Sequence, residues 1–142
     1  MRDRAPVGGI CSHSLVRDLA FMHTYPFEKL EAWQAARVLS VKLYTLTSTF
    51  PALEKYGITQ QLRRAAISVA SNISEGTGRY APKDQGHFYA ISYGSLMELL
   101  NQVIISKDLN FFTTAEYDDL RTSIETLSAI ISGLRKHTLS KL

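Results

Sequence analysis

Four stretches of this chain repeat apolar side chains at every third or fourth residue, and each is bounded by a proline, a glycine or a capping residue. That spacing matches the 3.6-residue turn of an α-helix and restricts the chain to packed helices more tightly than any other feature. The first stretch, Phe27 to Phe50, carries Leu30, Trp33, Ala36, Leu39, Leu43, Leu46 and Phe50 along one face. Pro51 drives the residue before it out of helical backbone, so Pro51–Gly57 reads as a connection, with Thr59 placed to cap the next helix. This second helix buries Leu62, Ala66, Val69 and Ile73, and Gly76-Thr77-Gly78 is expected to stop it, because glycine adopts left-handed backbone past a helix end.

Pro82 suits the first turn of a third helix, expected to run to Asp108 and to end at Asn110. Thr113 with Glu116 forms a capping box for a fourth, whose seam is Leu120, Ile124, Leu127, Ile131 and Leu134. No strand-like alternation or internal repeat competes, and short connections favour antiparallel neighbours. The expected fold is all-α: an antiparallel up-down-up-down four-helix bundle over residues 25–142, preceded by a flexible arm at residues 1–24. Met22, just ahead of the periodic region, is a second candidate start of translation beside Met1.

The third helix carries more apolar surface than one core needs. Phe88, Tyr89, Tyr93, Leu96, Met97, Leu99, Leu100, Val103 and Ile104 span an arc of roughly 180°, against the ~100° stripe of a helix facing a single core. Two readings are open: a homo-oligomeric contact through Tyr93 and Met97, or a helix buried at the centre of the molecule.

Composition removes several chemistries. The single Cys11 allows neither an internal disulfide nor a thiolate metal site. His13, His23, His87 and His137 are scattered, and no Glu is followed by His three residues later, as a carboxylate-bridged di-metal bundle requires. No nucleophile elbow or phosphate-binding loop is present, and Gly76-Thr77-Gly78 follows a helix rather than a strand. Neither a catalytic residue nor a cofactor or metal is expected. No run approaches the ~20 apolar residues of a membrane span, and Pro6–Cys11 is too short for a secretory segment, so a cytoplasmic location is expected. The net charge of +3 permits nucleic acid without demanding it.

Polar residues cluster opposite the apolar stripes. Arg64, Ser68, Ser71, Asn72 and Glu75 fall on one face of the second helix, and Gly94, Ser95, Glu98, Asn101 and Gln102 form a narrower face on the third. If these helices run antiparallel, the ~1.5 Å rise per residue brings Arg63 or Arg64 within about one turn of Glu98, and an ion pair is expected there. The residues Arg64, Ser68, Asn72, Glu75, Ser95 and Glu98 read either as a structural network or as a recognition surface. Beside the turn after the second helix, Arg79, Tyr80, Lys83 and His87 can contact phosphate and stack an unpaired base, or can be ordinary solvated side chains.

The combination Phe27, Leu30 and Trp33, then Phe50-Pro51, Tyr56-Gly57, Thr59 and Gln61-Leu62-Arg63-Arg64-Ala65-Ala66, then Ser68, Asn72-Ile73-Ser74-Glu75-Gly76 and Gly78-Arg79, with Gly94-Ser95, Glu98 and Gln102, resembles the bacterial 23S rRNA intervening-sequence protein family. The resemblance covers Phe27 to about Leu134. It implies cytosolic four-helix bundles assembled as homopentamers, distantly like the accessory proteins of diversity-generating retroelements, and it supplies no catalytic residue. The expectation is a non-enzymatic oligomer that binds RNA or ribonucleoprotein, with Arg63, Arg64, Arg79 and Lys83 as phosphate contacts. The alternative is a homo-oligomeric scaffold for a protein partner, with no nucleic-acid role.

Overall fold

The computed structural model describes residues 22–142, and among them regular structure is entirely helical. The four helices are α1 (Glu31–Thr47), α2 (Ile58–Thr77), α3 (Pro82–Asp108) and α4 (Thr114–Leu139), with single 3-10 turns at Pro26–Lys29 and Ala52–Glu54. The expected arm lies outside the described residues up to position 21, as do Cys11 and His13. Met22, His23 and Thr24 are exposed and carry no regular structure.

Each helix begins and ends for a local reason. The periodic region does not enter α1 at Phe27, because Leu30 is extended (φ −74°, ψ 128°) and separates the Pro26–Lys29 turn from the helix. At α4 the expected capping box is complete: the Glu116 amide donates to Thr113 Oγ1 at 3.1 Å, and the Thr113 amide donates to Glu116 Oε1 at 2.9 Å. Asn110, after α3, holds φ 62°, a left-handed conformation that asparagine tolerates better than most residues.

Two expectations about α2 are corrected. Gly57, not Thr59, is its N-cap; Thr59 sits inside the first turn, 6% exposed, with its hydroxyl lacking a partner. The glycines at the other end are not left-handed. Gly78 has φ −77°, and Gly76 is inside the helix, where an added Cβ would lie 2.8 Å from Phe88 Cβ and 2.9 Å from the Tyr89 ring. Glycine is required at position 76 by the close approach of α3, not by the turn.

Hydrogen bonds across α2 and α3 pair residues in opposite order along the chain: Arg64 with Glu98, Ser68 with Ser95, the Val69 carbonyl with Ser92, and Thr77 with Tyr89. Lys42 near the end of α1 reaches Asp119 and Ser123 near the start of α4. The backbone approaches of α1 to α2, α2 to α3, α3 to α4 and α4 back to α1 close a ring of four helices; among the described residues, α1 and α3 do not approach directly, nor do α2 and α4. The ring encloses Ala36, Leu39 and Leu43 of α1, Leu62, Ala66, Val69 and Ile73 of α2, Leu96, Leu99 and Val103 of α3, and Leu120, Ile124, Leu127 and Ile131 of α4. Burying each large aliphatic side chain contributes about 1.5–3 kcal/mol, so these positions supply most of the drive to fold.

The reading of α3 as a helix buried at the centre of the molecule is also corrected. Apart from Gln102, its buried positions, Gly86, Tyr89, Ser92, Leu96, Leu99, Val103 and Ser106, step by three and four along one seam. Tyr93 and Ile104 are each 37% exposed, and α3 packs on two helices rather than lying at the centre. The second apolar strip is half at the surface, with Met97 and Leu100 partly buried against the core.

Candidate functional site

The polar faces of α2 and α3 meet along one edge of the bundle. Arg64 Nη2 donates to Gln61 Oε1 at 2.9 Å and, at 3.5 Å, to Glu98 Oε1, which also accepts from Gln102 Nε2 at 3.1 Å. Of the two arginines expected to reach Glu98, Arg64 does so, through a long and largely exposed ion pair. Contacts of that kind contribute between nothing and about 1 kcal/mol. A turn further along, Asn72 Nδ2 donates to the Ser68 carbonyl and hydroxyl at 2.8 and 3.1 Å, and the two hydroxyls of Ser68 and Ser95 share a bond at 2.9 Å. Because Ser68 Oγ accepts from Asn72, it is free to donate to Ser95. Four of the six network residues, Arg64, Ser68, Ser95 and Glu98, therefore bond between the helices; Asn72 acts through Ser68 on its own helix, and Glu75 turns to Arg79 at 3.2 Å.

The four expected phosphate contacts separate into two places. Arg79 and Lys83 flank the α2–α3 turn, about 20 Å along α2 from Arg63 and Arg64 at ~1.5 Å per residue. At this turn Arg79 also lies over the Phe88 ring, 4.6 Å from its centroid, and Gln85 Nε2 donates to the Arg79 carbonyl at 2.8 Å. These contacts fix the turn. Tyr80 projects from it fully exposed, with Lys83 and His87 exposed on the first turns of α3.

Arg63 points away from Glu98. Its Nε donates to Thr47 Oγ1 at 2.9 Å, its Nη2 to the Tyr44 carbonyl at 3.4 Å, and its guanidinium stacks 4.5 Å from the Tyr44 ring centroid. It thus ties the start of α2 to the end of α1. Here a cavity of about 370 Å³ opens between the two helices, lined by Tyr44, Lys55, Tyr56, Thr59, Arg63 and Arg64. Sequence reasoning does not single out Tyr44 or Lys55, and Tyr56 enters it only through the family resemblance, with no binding role. The available signal is a helix connection flanked by two tyrosines and followed within two turns by two arginines.

The expected oligomer contacts lie elsewhere. Tyr93 lines an apolar groove of about 430 Å³ between α3 and α4, with Ala90, Ile131, Leu139 and the two cations Arg135 and Lys136. Met97, one turn on from Tyr93, is half-buried. Among the described residues, no three His, Cys, Asp or Glu side chains gather as metal ligands, and no helix is long and apolar enough to cross a membrane. On α4, side-chain hydrogen bonds to Glu125 and then Tyr117 raise the Arg121 guanidinium above its already high ordinary value, so pH does not switch it.

Comparison with known proteins agrees with this architecture. A solved structure, a protein of unknown function from the S23 ribosomal protein family of Bacteroides thetaiotaomicron VPI-5482, superposes with a TM-score of 0.67. It is 13% identical and covers 74% of this chain and 98% of its own, a likeness of fold. No curated protein matches the chain. A sequence model described as 23S rRNA-intervening sequence protein matches residues 28–133, a span that begins in the Pro26–Lys29 turn and takes in α1, α2, α3 and most of α4. The chain belongs to the 23S rRNA-intervening sequence protein family.

Proposed function

We propose that the protein is a cytoplasmic, non-enzymatic homo-oligomer, a ring of five up-down-up-down bundles, that binds RNA or ribonucleoprotein. The observation that carries the RNA reading is Tyr80, a fully exposed ring on a turn braced by Arg79 and flanked by Lys83. An exposed aromatic ring beside cations is the pairing that stacks unpaired bases while neutralising phosphate. The family's description points toward rRNA as well. Repetition of the turn around a ring would add avidity to a weak single site.

Two glycines support assembly. Gly94 and Gly133 lie within helices where an added Cβ would meet nothing within 4 Å, so packing inside the bundle gives no reason for them. Each costs about 1 kcal/mol relative to alanine in a helix, a cost that close approach of another copy would explain. Gly94 adjoins Tyr93 and Met97, the expected contact residues.

The deciding experiment titrates a structured rRNA fragment against the protein across salt, with Lys83→Ala and Tyr80→Ala alongside. Expected is a linear fall of log affinity with log salt, a slope shallower by about 0.7–0.9 for Lys83→Ala, and a loss of about 1–3 kcal/mol for Tyr80→Ala. Absence of binding at low salt overturns the reading. A scaffold for a protein partner then stands in its place, favoured by Val38 and Val41, which expose 61% and 63% of their surface side by side on α1.

A further inference from the structure

The cavity between the end of α1 and the start of α2 has a composition that its structural role does not require. Its lining includes three cations, Lys55, Arg63 and Arg64, and no carboxylate. Arg64 shares Glu98, but among the described residues neither Lys55 nor Arg63 pairs with an acid. Glu54, the nearest acid in sequence, accepts from the Ile58 amide at 3.3 Å and does not line the cavity. Three cations in a concave site, two of them without an acid partner, favour an anion.

Two aromatic rings frame the same space. Tyr56 is 81% exposed on the connection and Tyr44 is 45% exposed on the last turns of α1. Arg63 covers one face of Tyr44, and Lys55 lies 5.4 Å from the Tyr56 ring centroid. So much exposure leaves Tyr56 open to stacking by another ring. Thr59, only 6% exposed, also lines the cavity, and its hydroxyl has no hydrogen-bond partner. A buried hydroxyl without a partner is unfavourable, and a ligand oxygen or amine reaching it would relieve that cost.

We propose that this cavity binds a nucleoside phosphate, either a free mononucleotide or one nucleotide of a single strand. The base stacks on Tyr56 beside Tyr44, the phosphate takes Lys55 and Arg64, and Arg63 is held by Thr47 and Tyr44 to present its remaining guanidinium edge. Thr59, in the same lining, offers its unpartnered hydroxyl. The site is separate from the Tyr80 turn and stands even if no RNA is bound, because a free mononucleotide satisfies its chemistry.

The test uses the full chain with three probes: adenosine 5′-monophosphate, inorganic phosphate, and a fluorescent five-nucleotide single-stranded RNA. Tyr56→Ala and Lys55→Ala are the variants, both at exposed positions outside the helices, with circular dichroism confirming the fold. Tyr80→Ala is the control at the other end of α2. Expected is nucleotide binding at least tenfold tighter than phosphate, weakened about tenfold by Tyr56→Ala, in the range of base–aromatic stacking, several-fold by Lys55→Ala, and not at all by Tyr80→Ala. Binding of the strand but not of the free nucleotide, with the same response to Tyr56→Ala, identifies the source as a strand and supports the site. Nucleotide binding no tighter than phosphate, or indifferent to Tyr56→Ala, overturns it. Strand binding that responds only to Tyr80→Ala, with no free nucleotide bound, overturns this site and leaves the RNA reading standing. Nucleotide binding at this cavity with no RNA binding does the reverse.

Discussion

At Gly76 an alanine would place its Cβ 2.8 Å from Phe88 Cβ, an atom fixed to the backbone of α3 rather than the tip of a flexible chain. Relief therefore requires α2 and α3 to part, and Gly76→Ala is expected to destabilise the fold by about 1–3 kcal/mol, read from the midpoint of chemical denaturation. An unchanged midpoint would mean that the two helices adjust freely. Nearby, Ser92 shows a different device for close packing: fully buried, it donates to the Val69 carbonyl at 2.8 Å and bonds α3 to the backbone of α2. Gly76 is legible as a special position in the sequence, but the reason for it is not. A glycine near a helix end has two uses, a left-handed turn or a close approach, and only the position of Phe88 and Tyr89 distinguishes them.

Among the elements, α4 is the one whose start is most completely specified by its own residues. Thr113 and Glu116 satisfy each other's amides without help from the rest of the fold, so Thr113→Ala is expected to cost about 1 kcal/mol, within the usual range of 0.5–2 for a lost cap. Thermal denaturation of the variant beside the parent chain checks it. At α2 the same capping rule points to Thr59, yet Glu54 from the preceding turn accepts the Ile58 amide and Gly57 takes the capping position. Thr59 is consequently drawn into the cavity beside Tyr56. Local capping rules identify residues able to cap; the path of the Pro51–Gly57 connection decides which one is in place.

For the whole molecule, the second apolar strip of α3 and the two open glycines bear on assembly. Gly94→Leu puts a side chain into space that is empty in the single bundle, so the helical circular dichroism of the protomer should persist while its native mass falls to that of one chain. A native mass that is already monomeric for the parent chain, or unchanged in the variant, removes this face from the assembly. The strip itself is legible as an excess of apolar residues beyond one core. That Tyr93 and Ile104 on it stay exposed is not, because Ser92 and Ser106 occupy buried positions that the apolar pattern leaves unassigned.

By itself the sequence determined the four helices among the described residues, the span of α3 from Pro82 to Asp108, the cap of α4, the core stripe of α2 and the pairing of an arginine with Glu98. These depend on hydrogen bonding and side-chain spacing within a few turns, or on the register of two helices joined by a four-residue turn. The tertiary structure alone decided that Arg64 takes Glu98 while Arg63 turns to Tyr44 and Thr47. It also separated the four expected phosphate contacts into two ends of α2 and gathered Tyr44, Lys55 and Tyr56 around one cavity. The reason is geometric: adjacent residues on a helix point about 100° apart, so a small rotation of α2 about its axis chooses their partners, and that rotation is set by packing against α1 and α3 together.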